Sequence, residues 1–209
     1  MGILESLGNQ SVLPILNFQN SKLVLQTVEA LLKGGITNLE VTLRSKDALP
    51  TLEEIRKEFP ELLLGAGTIL KDEQIDQVQD IGINFGVCPG WDESIWKKSQ
   101  KNNFFLIPGI LTPTELNRVA KFNCPAIKIF PIEPTGGYPY MKALIAPFRN
   151  LGIKYLPTGG VTQHLTSTYL NDPDLLTIGG SWVTPQDLVH NLQFSQITKL
   201  AKEAVSLGN

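Results

Sequence analysis

Residues 126–131, with the sequence AIKIFP, decide how the rest of this chain is interpreted. They form a short apolar run, rich in β-branched residues and ended by Pro131, and such a run predicts a buried strand. Lys128 lies in the middle of this strand. Burial disfavours the ammonium form of a lysine, and a neutral amine is a nucleophile for carbonyl carbon. We therefore interpret Lys128 as a candidate Schiff-base lysine; the alternative is a strand-end lysine that reaches water or pairs with a carboxylate.

On both sides of this strand, short apolar runs alternate with amphipathic helical stretches along the chain. Strands that alternate with helices must be parallel. Eight strand–helix units in 209 residues predict an α/β fold, a single compact (β/α)8 TIM barrel with one domain over residues 1–209. An open doubly wound sheet is less favoured, because the stretch that follows the first strand begins with Asn17 and contains no phosphate-binding glycine.

The apolar runs and helical patterns also predict where each element lies. We assign strands to 12–16, 38–43, 62–66, 84–87, 104–107, 126–131, 154–157 and 175–178. We assign helices to 22–33, 47–59, 71–81, a stretch from about 94, a stretch from 112, 140–151, 162–170 and 185–207. The start at 112 is the clearest, because Thr112 and Glu115 have the spacing of a capping box.

The composition is that of a globular protein, with 42% hydrophobic and 18% charged residues. The formal net charge is −2, and no block of basic residues could neutralise a run of phosphates, so we expect no nucleic acid partner. No stretch has the pattern of a signal peptide or the length of a membrane span. We therefore expect a cytoplasmic protein with no membrane partner.

The cysteines and histidines do not indicate a metal or redox site. Cys88 and Cys124 match no zinc or redox spacing, so we expect two buried, reduced thiols. His164 and His190 fall in predicted helices, with no carboxylate at ligand spacing from either one. We therefore expect no metal.

The end of the second strand carries a second candidate catalytic group. Active sites of (β/α)8 barrels lie at the carboxyl ends of the strands. Glu40, Thr42 and Arg44 alternate there, so they are expected on one side of the strand. A carboxylate near a neutral lysine could move protons, whereas the alternative is an ion pair between Glu40 and Arg44 at the rim. Because Lys128 is expected to face the same cavity, we favour catalysis.

Two glycine pairs, 159–160 and 179–180, follow the last two predicted strands. Phosphate sites in these barrels commonly use the corresponding loops and a helix N-terminus. Glycine lets backbone N–H groups approach an anion, and Ser181 adds a hydroxyl donor. We favour a phosphate site over the alternative, in which the pairs only make tight turns.

Several motifs together resemble one known family. The chain carries LEVTLR at 39–44, GAGT at 65–68, PG at 108–109, KIFPIE at 128–133, PTGGV at 157–161 and GGSW at 179–182. In this order and over nearly the whole chain, they resemble the bacterial class I 2-keto-3-deoxy-6-phosphogluconate aldolases, a family whose activities include cleavage of 4-hydroxy-2-oxoglutarate.

The resemblance implies a short (β/α)8 barrel, assembled as a homotrimer, that cleaves a sugar acid phosphate to pyruvate and glyceraldehyde 3-phosphate. It implies no cofactor besides a covalent Schiff base on Lys128, with Glu40 as general acid/base. It further implies that the substrate carboxylate is held by Arg44 and Thr68, and the phosphate by Thr158, Gly159, Gly160 and Ser181.

Two departures from the family pattern bear on the range of substrates. Asn17 stands where some related aldolases carry an arginine, and residues 134–140 are unusually rich in proline and aromatic side chains. These departures concern the substrate and not the reaction, and three alternatives stay open in all. They are an aldolase of the galactonate series, a phosphate-binding isomerase or epimerase with Glu40 as base, and a barrel that binds a sugar acid phosphate without turnover.

Overall fold

A computed structural model describes residues 2–17 and 23–208 of the chain. The described strands are β1 Val12–Leu16, β2 Asn38–Thr42, β3 Leu63–Gly67, β4 Phe85–Val87, β5 Phe105–Ile107, β6 Gly109–Ile110, β7 Ala126–Ile129, β8 Lys154–Pro157 and β9 Ile178–Gly180. The described helices are α1 Ile3–Gly8, α2 Val24–Lys33, α3 Ala48–Glu58, α4 Glu73–Asp80, α5 Glu93–Lys101, α6 Pro113–Ala120, α7 Gly137–Ile145, α8 Gln163–Leu170, α9 Gln186–His190 and α10 Phe194–Ser206.

The strands pair in parallel throughout the described sheets, as the alternation with helices predicts. One sheet has six strands in the order β5-β4-β3-β2-β1-β9, and the other has three in the order β6-β7-β8. Pro108 is the one residue between β5 and β6, and a parallel bridge joins Thr158, after β8, to Gly179 of β9. The predicted α/β fold with parallel strands is confirmed.

The interior of the sheet is filled with apolar side chains at the ends where the strands begin. Leu7 of α1 is fully buried there, in a cluster with Leu13, Phe85 and Leu156 among others. The helix α1 precedes β1 and covers the amino ends of the strands. The carboxyl ends of the strands are therefore left for the site. We did not predict this helix, since six residues show too little helical periodicity to be separated from a loop.

Most predicted elements lie within a few residues of the observed ones, and the capping box at Thr112 and Glu115 is confirmed. The predicted start of the first long helix, residue 22, lies outside the described residues. The helix predicted over 140–151 begins earlier and becomes a 3-10 helix at Ala146–Leu151, where Pro147 has no N–H to donate to an α-helical bond. The closing stretch is two helices, α9 and α10, with Leu192 between them at φ 56°.

The prediction of the last strand at 175–178 is wrong. The paired strand is Ile178–Gly180, and Leu175 makes only an isolated bridge to Tyr155. Gly179 and Gly180 pair with β1 rather than forming a turn after the strand. A Cβ at Gly179 would collide with the Thr158 side chain, so glycine is needed within this strand for close approach of β8 and β9.

Of the helices in the described ranges, none combines the length and the apolar character needed to cross a bilayer.

Candidate active site

A cavity of about 580 Å³ opens where the strands end. Residues at or just after the carboxyl ends of five strands line it, namely Asn17, Thr42, Phe130, Thr158 and Ser181. Seven of the eight residues that the sequence singled out also line it: Glu40, Arg44, Lys128, Thr158, Gly159, Gly160 and Ser181. The eighth, Thr68, contacts Arg44. The alternation of Glu40, Thr42 and Arg44 onto one side of β2 is confirmed, because all three face this cavity.

Lys128 owes its position to the alternation of side chains along β7. Ile127 and Ile129 are fully buried in the core against the helices, so the residue between them points to the opposite face. The Lys128 side chain is only 5% exposed, and its Nζ lies 5.1 Å from the centroid of the Phe130 ring, two residues further on. The amine is therefore held beside an aromatic face and largely away from water.

Glu40 is fully buried in the same cavity. Neither of its carboxylate oxygens accepts a hydrogen bond from any residue in the described ranges. Burial raises the pKa of Glu40, and the charges of Lys128 and Arg44 offset part of that rise. A buried acid with a raised pKa holds its proton to a higher pH than an ordinary glutamate, which suits the role of a general acid/base.

The room for this carboxylate comes from the neighbouring strand. Gly67 pairs with Thr42, and a Cβ at Gly67 would overlap Oε1 of Glu40. The second glycine of the GAGT motif is thus required by the acid on β2. No ion pair joins Glu40 to Arg44, both of which the structure describes, so the geometry disfavours the rim ion pair that the sequence left open.

Arg44 is exposed at the mouth of the cavity, where its Nε donates a hydrogen bond of 3.2 Å to Oγ1 of Thr68. Thr68 has φ 61°, a left-handed conformation that is strained for a β-branched residue. In this conformation the Thr68 hydroxyl accepts the hydrogen bond from the Arg44 guanidinium. Arg44 keeps further N–H groups with which it can pair with a carboxylate.

The far end of the cavity is built from backbone. Gly159 and Gly160 have φ of 99° and 86°, and they lead through Val161 and Thr162 into α8. The backbone N–H groups of Gly160 and Val161 donate to no acceptor in the described part of the chain. Unpaired N–H groups at the start of a helix attract anions. Ser181 adds an exposed hydroxyl at the same end.

Sequence reasoning did not assign two polar residues, Asn17 and Gln186, to the site. The Thr42 hydroxyl donates to Oδ1 of Asn17 at 3.4 Å, and Nε2 of Gln186 donates to the Asn17 carbonyl oxygen at 3.0 Å. Asn17 could have been found because it follows a predicted strand. Gln186 gave no signal, since it follows β9 by several residues and lies at the start of a short helix.

Glu133, which lies five residues after Lys128, is not a second acid of the cavity. It does not line the cavity, and its Oε1 accepts a 2.5 Å hydrogen bond from the hydroxyl of Tyr169.

Within residues 2–17 and 23–208, no group of three or more His, Cys, Asp or Glu side chains is arranged to hold a metal ion. Cys88 and Cys124 are free and buried, as predicted, and burial raises the pKa of each thiol to about 12.

The family model described as "Aldolase: KDPG and KHG aldolase" matches residues 3–200. The match identifies the class of this protein as aldolase, a lyase. Within that class, the chain belongs to the KDPG and KHG aldolase family, as the sequence motifs predict. It is 36% identical over 194 residues to the KHG/KDPG aldolase of Escherichia coli strain K12, a match that covers 93% of this chain and 90% of the relative.

Two solved structures of relatives have the same fold. One is KDPG aldolase from Legionella pneumophila with pyruvate captured at low pH as a covalent carbinolamine intermediate, with TM-score 0.93, 32% identity and 98% of each chain covered. The other is the 2-keto-3-deoxy-6-phosphogluconate aldolase of Zymomonas mobilis ZM4 with 3-phosphoglycerate. That structure has TM-score 0.89 and 34% identity, with 98% of this chain and 95% of the other covered.

Proposed function

We propose that this protein is a class I aldolase that cleaves 2-keto-3-deoxy-6-phosphogluconate (KDPG) to pyruvate and glyceraldehyde 3-phosphate. The observation that carries the proposal is the pairing of Lys128 with an unpaired, buried Glu40 in one cavity, opposite the Gly159–Gly160 turn. Family membership supports the reaction. The covalent pyruvate adduct of the Legionella pneumophila relative supports the covalent route.

The Lys128 amine adds to the C2 ketone of the substrate to give a carbinolamine, which loses water and becomes an iminium. The iminium accepts the electron pair of the C3–C4 bond as that bond breaks, leaving an enamine on the lysine. Cleavage requires the C4 hydroxyl to lose its proton, which Glu40 takes directly or through water. Protonation of the enamine at C3 and hydrolysis release pyruvate and regenerate the amine.

The two ends of the substrate are held by different means. Arg44, oriented by Thr68, pairs with the carboxylate next to C2. The N–H groups at the Gly159–Gly160 turn and the hydroxyls of Thr158 and Ser181 accommodate the phosphate, and the 3-phosphoglycerate complex of the Zymomonas mobilis relative supports a phosphate-bearing ligand. Anchoring both ends keeps C2 within reach of the amine and supplies much of the rate.

The lysine serves as the electron sink, so we infer that no metal or other cofactor takes part. EDTA is then expected to leave the activity unchanged; inhibition reversed by added zinc would point to a metal-dependent aldolase instead.

We also infer that the two sheets form one eight-stranded barrel, with β5 and β6 as one strand and the Thr158–Gly179 bridge as its closure. The family resemblance further leads us to propose a cytoplasmic homotrimer, which sedimentation tests as a mass three times 23.0 kDa.

A coupled assay for pyruvate tests the proposed function with four substrates. These are the KDPG and galactonate-series phosphates, the unphosphorylated sugar acid and 4-hydroxy-2-oxoglutarate. We expect KDPG to give the highest kcat/KM, with measurable turnover of 4-hydroxy-2-oxoglutarate, which presents the same C2 ketone and C4 hydroxyl but ends in a carboxylate instead of a phosphate. An isomerase, an epimerase or a binding protein would release no pyruvate from any of them.

A further inference from the structure

A buried hydrogen bond joins α8 to the segment that follows the lysine strand. The hydroxyl of Tyr169 in α8 donates to Oε1 of Glu133 at 2.5 Å, and the Tyr169 side chain is only 1% exposed. Burial and this carboxylate both raise the pKa of Tyr169, so the hydroxyl stays protonated and remains a donor. None of the chemistry proposed above uses either residue.

Backbone hydrogen bonds join this segment, which follows β7, to the Gly159–Gly160 turn at the far end of the cavity. Glu133 N donates to the carbonyl oxygen of Gly159 at 3.0 Å, and Ile132 N donates to that of Thr158 at 2.8 Å. The Glu133 side chain also packs against the turn, because a Cβ at Gly160 would come within 2.8 Å of its Cβ. Glu133 therefore holds the turn by its main chain and α8 by its carboxylate.

Tyr169 is itself held in a fixed orientation. Its ring packs edge-on against Tyr138, with centroids 5.3 Å apart and planes at 70°. The Tyr138 hydroxyl in turn donates to Oδ2 of Asp172 at 3.2 Å. Packing against Tyr138 and the position of Tyr169 in α8 therefore keep the Tyr169 hydroxyl directed at Glu133.

We propose that Glu133 and Tyr169 are a pair of positioning residues that fix the Gly159–Gly160 turn and the start of α8 relative to Lys128, and so set the affinity for phosphate. The link between this affinity and catalysis rests on the function proposed above. The N–H groups of Gly160 and Val161 bind an anion well only if the turn and the helix keep one relative placement. Glu133 contacts both, and only four residues of the chain separate it from Lys128.

Three variants and one matched control test the pair. Tyr169→Phe removes only the hydroxyl, Glu133→Ala removes the acceptor, and Glu133→Gln keeps an acceptor oxygen without the charge. Tyr155→Phe is the control, because Tyr155 is equally buried, at 1% exposure, yet its hydroxyl has no hydrogen-bond partner in the described ranges. Melting temperatures establish that each variant is folded.

The primary measurement is the Kd of inorganic phosphate, by titration calorimetry on each protein. We expect Tyr169→Phe and Glu133→Ala to raise this Kd about 3- to 10-fold, the range for one lost hydrogen bond, with Glu133→Gln and Tyr155→Phe within about 2-fold of wild type. The kcat/KM for KDPG should fall by the same factor, while that for 4-hydroxy-2-oxoglutarate stays unchanged.

An unchanged phosphate Kd in folded Tyr169→Phe would overturn the proposal, as would a wild-type protein that binds no phosphate. A loss in Tyr155→Phe as large as in Tyr169→Phe would also overturn it. If Glu133→Gln lost both substrates together, Glu133 would be a proton-transfer group and not a positioning residue. If the phosphate Kd changes as expected but the wild type releases no pyruvate from KDPG, the positioning pair stands and the proposed function fails.

Discussion

The two ends of the cavity handle charge in opposite ways. At the lysine end, two ionisable side chains, Lys128 and Glu40, are 5% and 0% exposed, and strand alternation holds both of them in the interior. At the far end, Gly159, Gly160 and Ser181 carry no charge, and the groups offered to a ligand are backbone N–H groups and hydroxyls. The first end depends on which side chain is present, and the second depends on where the backbone lies.

This difference predicts how each end responds to mutation. A side chain that forms a covalent bond or moves a proton has no substitute, so its loss should affect every substrate. A backbone phosphate site should respond to shape and to added charge, and mainly for substrates that carry a phosphate.

The largest effect is expected at Lys128. Lys128→Met should fold but lose turnover of all substrates by several orders of magnitude, because no other amine can form the iminium. Its Kd for inorganic phosphate should stay at the wild-type value, since the far end is untouched. Steady-state kinetics and calorimetry measure the two ends separately, and retention of more than about a tenth of the activity would refute the role of the lysine.

Glu40→Gln should lower kcat by about 10²- to 10⁴-fold, because glutamine keeps the shape of the side chain but cannot accept a proton. The loss should be equal for KDPG and for 4-hydroxy-2-oxoglutarate, as both need the C4 hydroxyl proton removed. Rates measured on both substrates check this. A wild-type rate would assign proton transfer to another group.

At the far end, Gly160→Val and Ser181→Glu should lower kcat/KM for KDPG about 5- to 150-fold, equivalent to about 1–3 kcal/mol. A side chain at Gly160 would press on Glu133 and block approach to the anion, and φ of 86° is strained for valine. A carboxylate at position 181 would repel the phosphate. The quantity to measure is the ratio between the two substrates; an equal loss on both would mean that the phosphate lies elsewhere.

The smallest effect concerns stability, and it follows from the buried acid. The raised pKa of Glu40 means that the folded protein favours the protonated form. Its contribution to stability is present below about pH 4.3, the usual glutamate value, and is lost as the pH rises through the raised pKa. The melting temperature of Glu40→Gln should therefore rise relative to that of the wild type as the pH is raised from 4 to 8. A difference that does not change with pH would contradict a raised pKa.

The sequence predicts the lysine end better than the far end, for a physical reason. Alternation along a strand is local, so it predicts that Glu40 and Arg44 share a face, and the strand pattern then brings that face to Lys128. The conformation of Thr68 and the need for Gly67 depend on contacts between strands, which the motif GAGT marks but does not explain. The shift of β9 to Ile178–Gly180 has the same origin, because it is set by the approach of Thr158 to Gly179.

The support of the far end could not be predicted at all. Tyr169 and Glu133 are 36 residues apart, on elements whose relative placement only the packed fold determines. An isolated tyrosine in an amphipathic helix is indistinguishable from a core residue by periodicity. The short helix α1 was not predicted for a related reason. Its single fully buried side chain, Leu7, packs against residues of several strands, and the local sequence does not reveal these contacts.

The central claim is that Lys128 forms a covalent bond with the substrate ketone, and reductive trapping tests it most directly. The protein is incubated with pyruvate and sodium borohydride, digested, and analysed by mass spectrometry. We predict that wild-type protein gains one reduced pyruvyl group on the peptide containing Lys128, that Glu40→Gln gains it more slowly, and that Lys128→Met gains none. An unmodified wild-type peptide, or an adduct on another lysine that persists in Lys128→Met, would contradict the account.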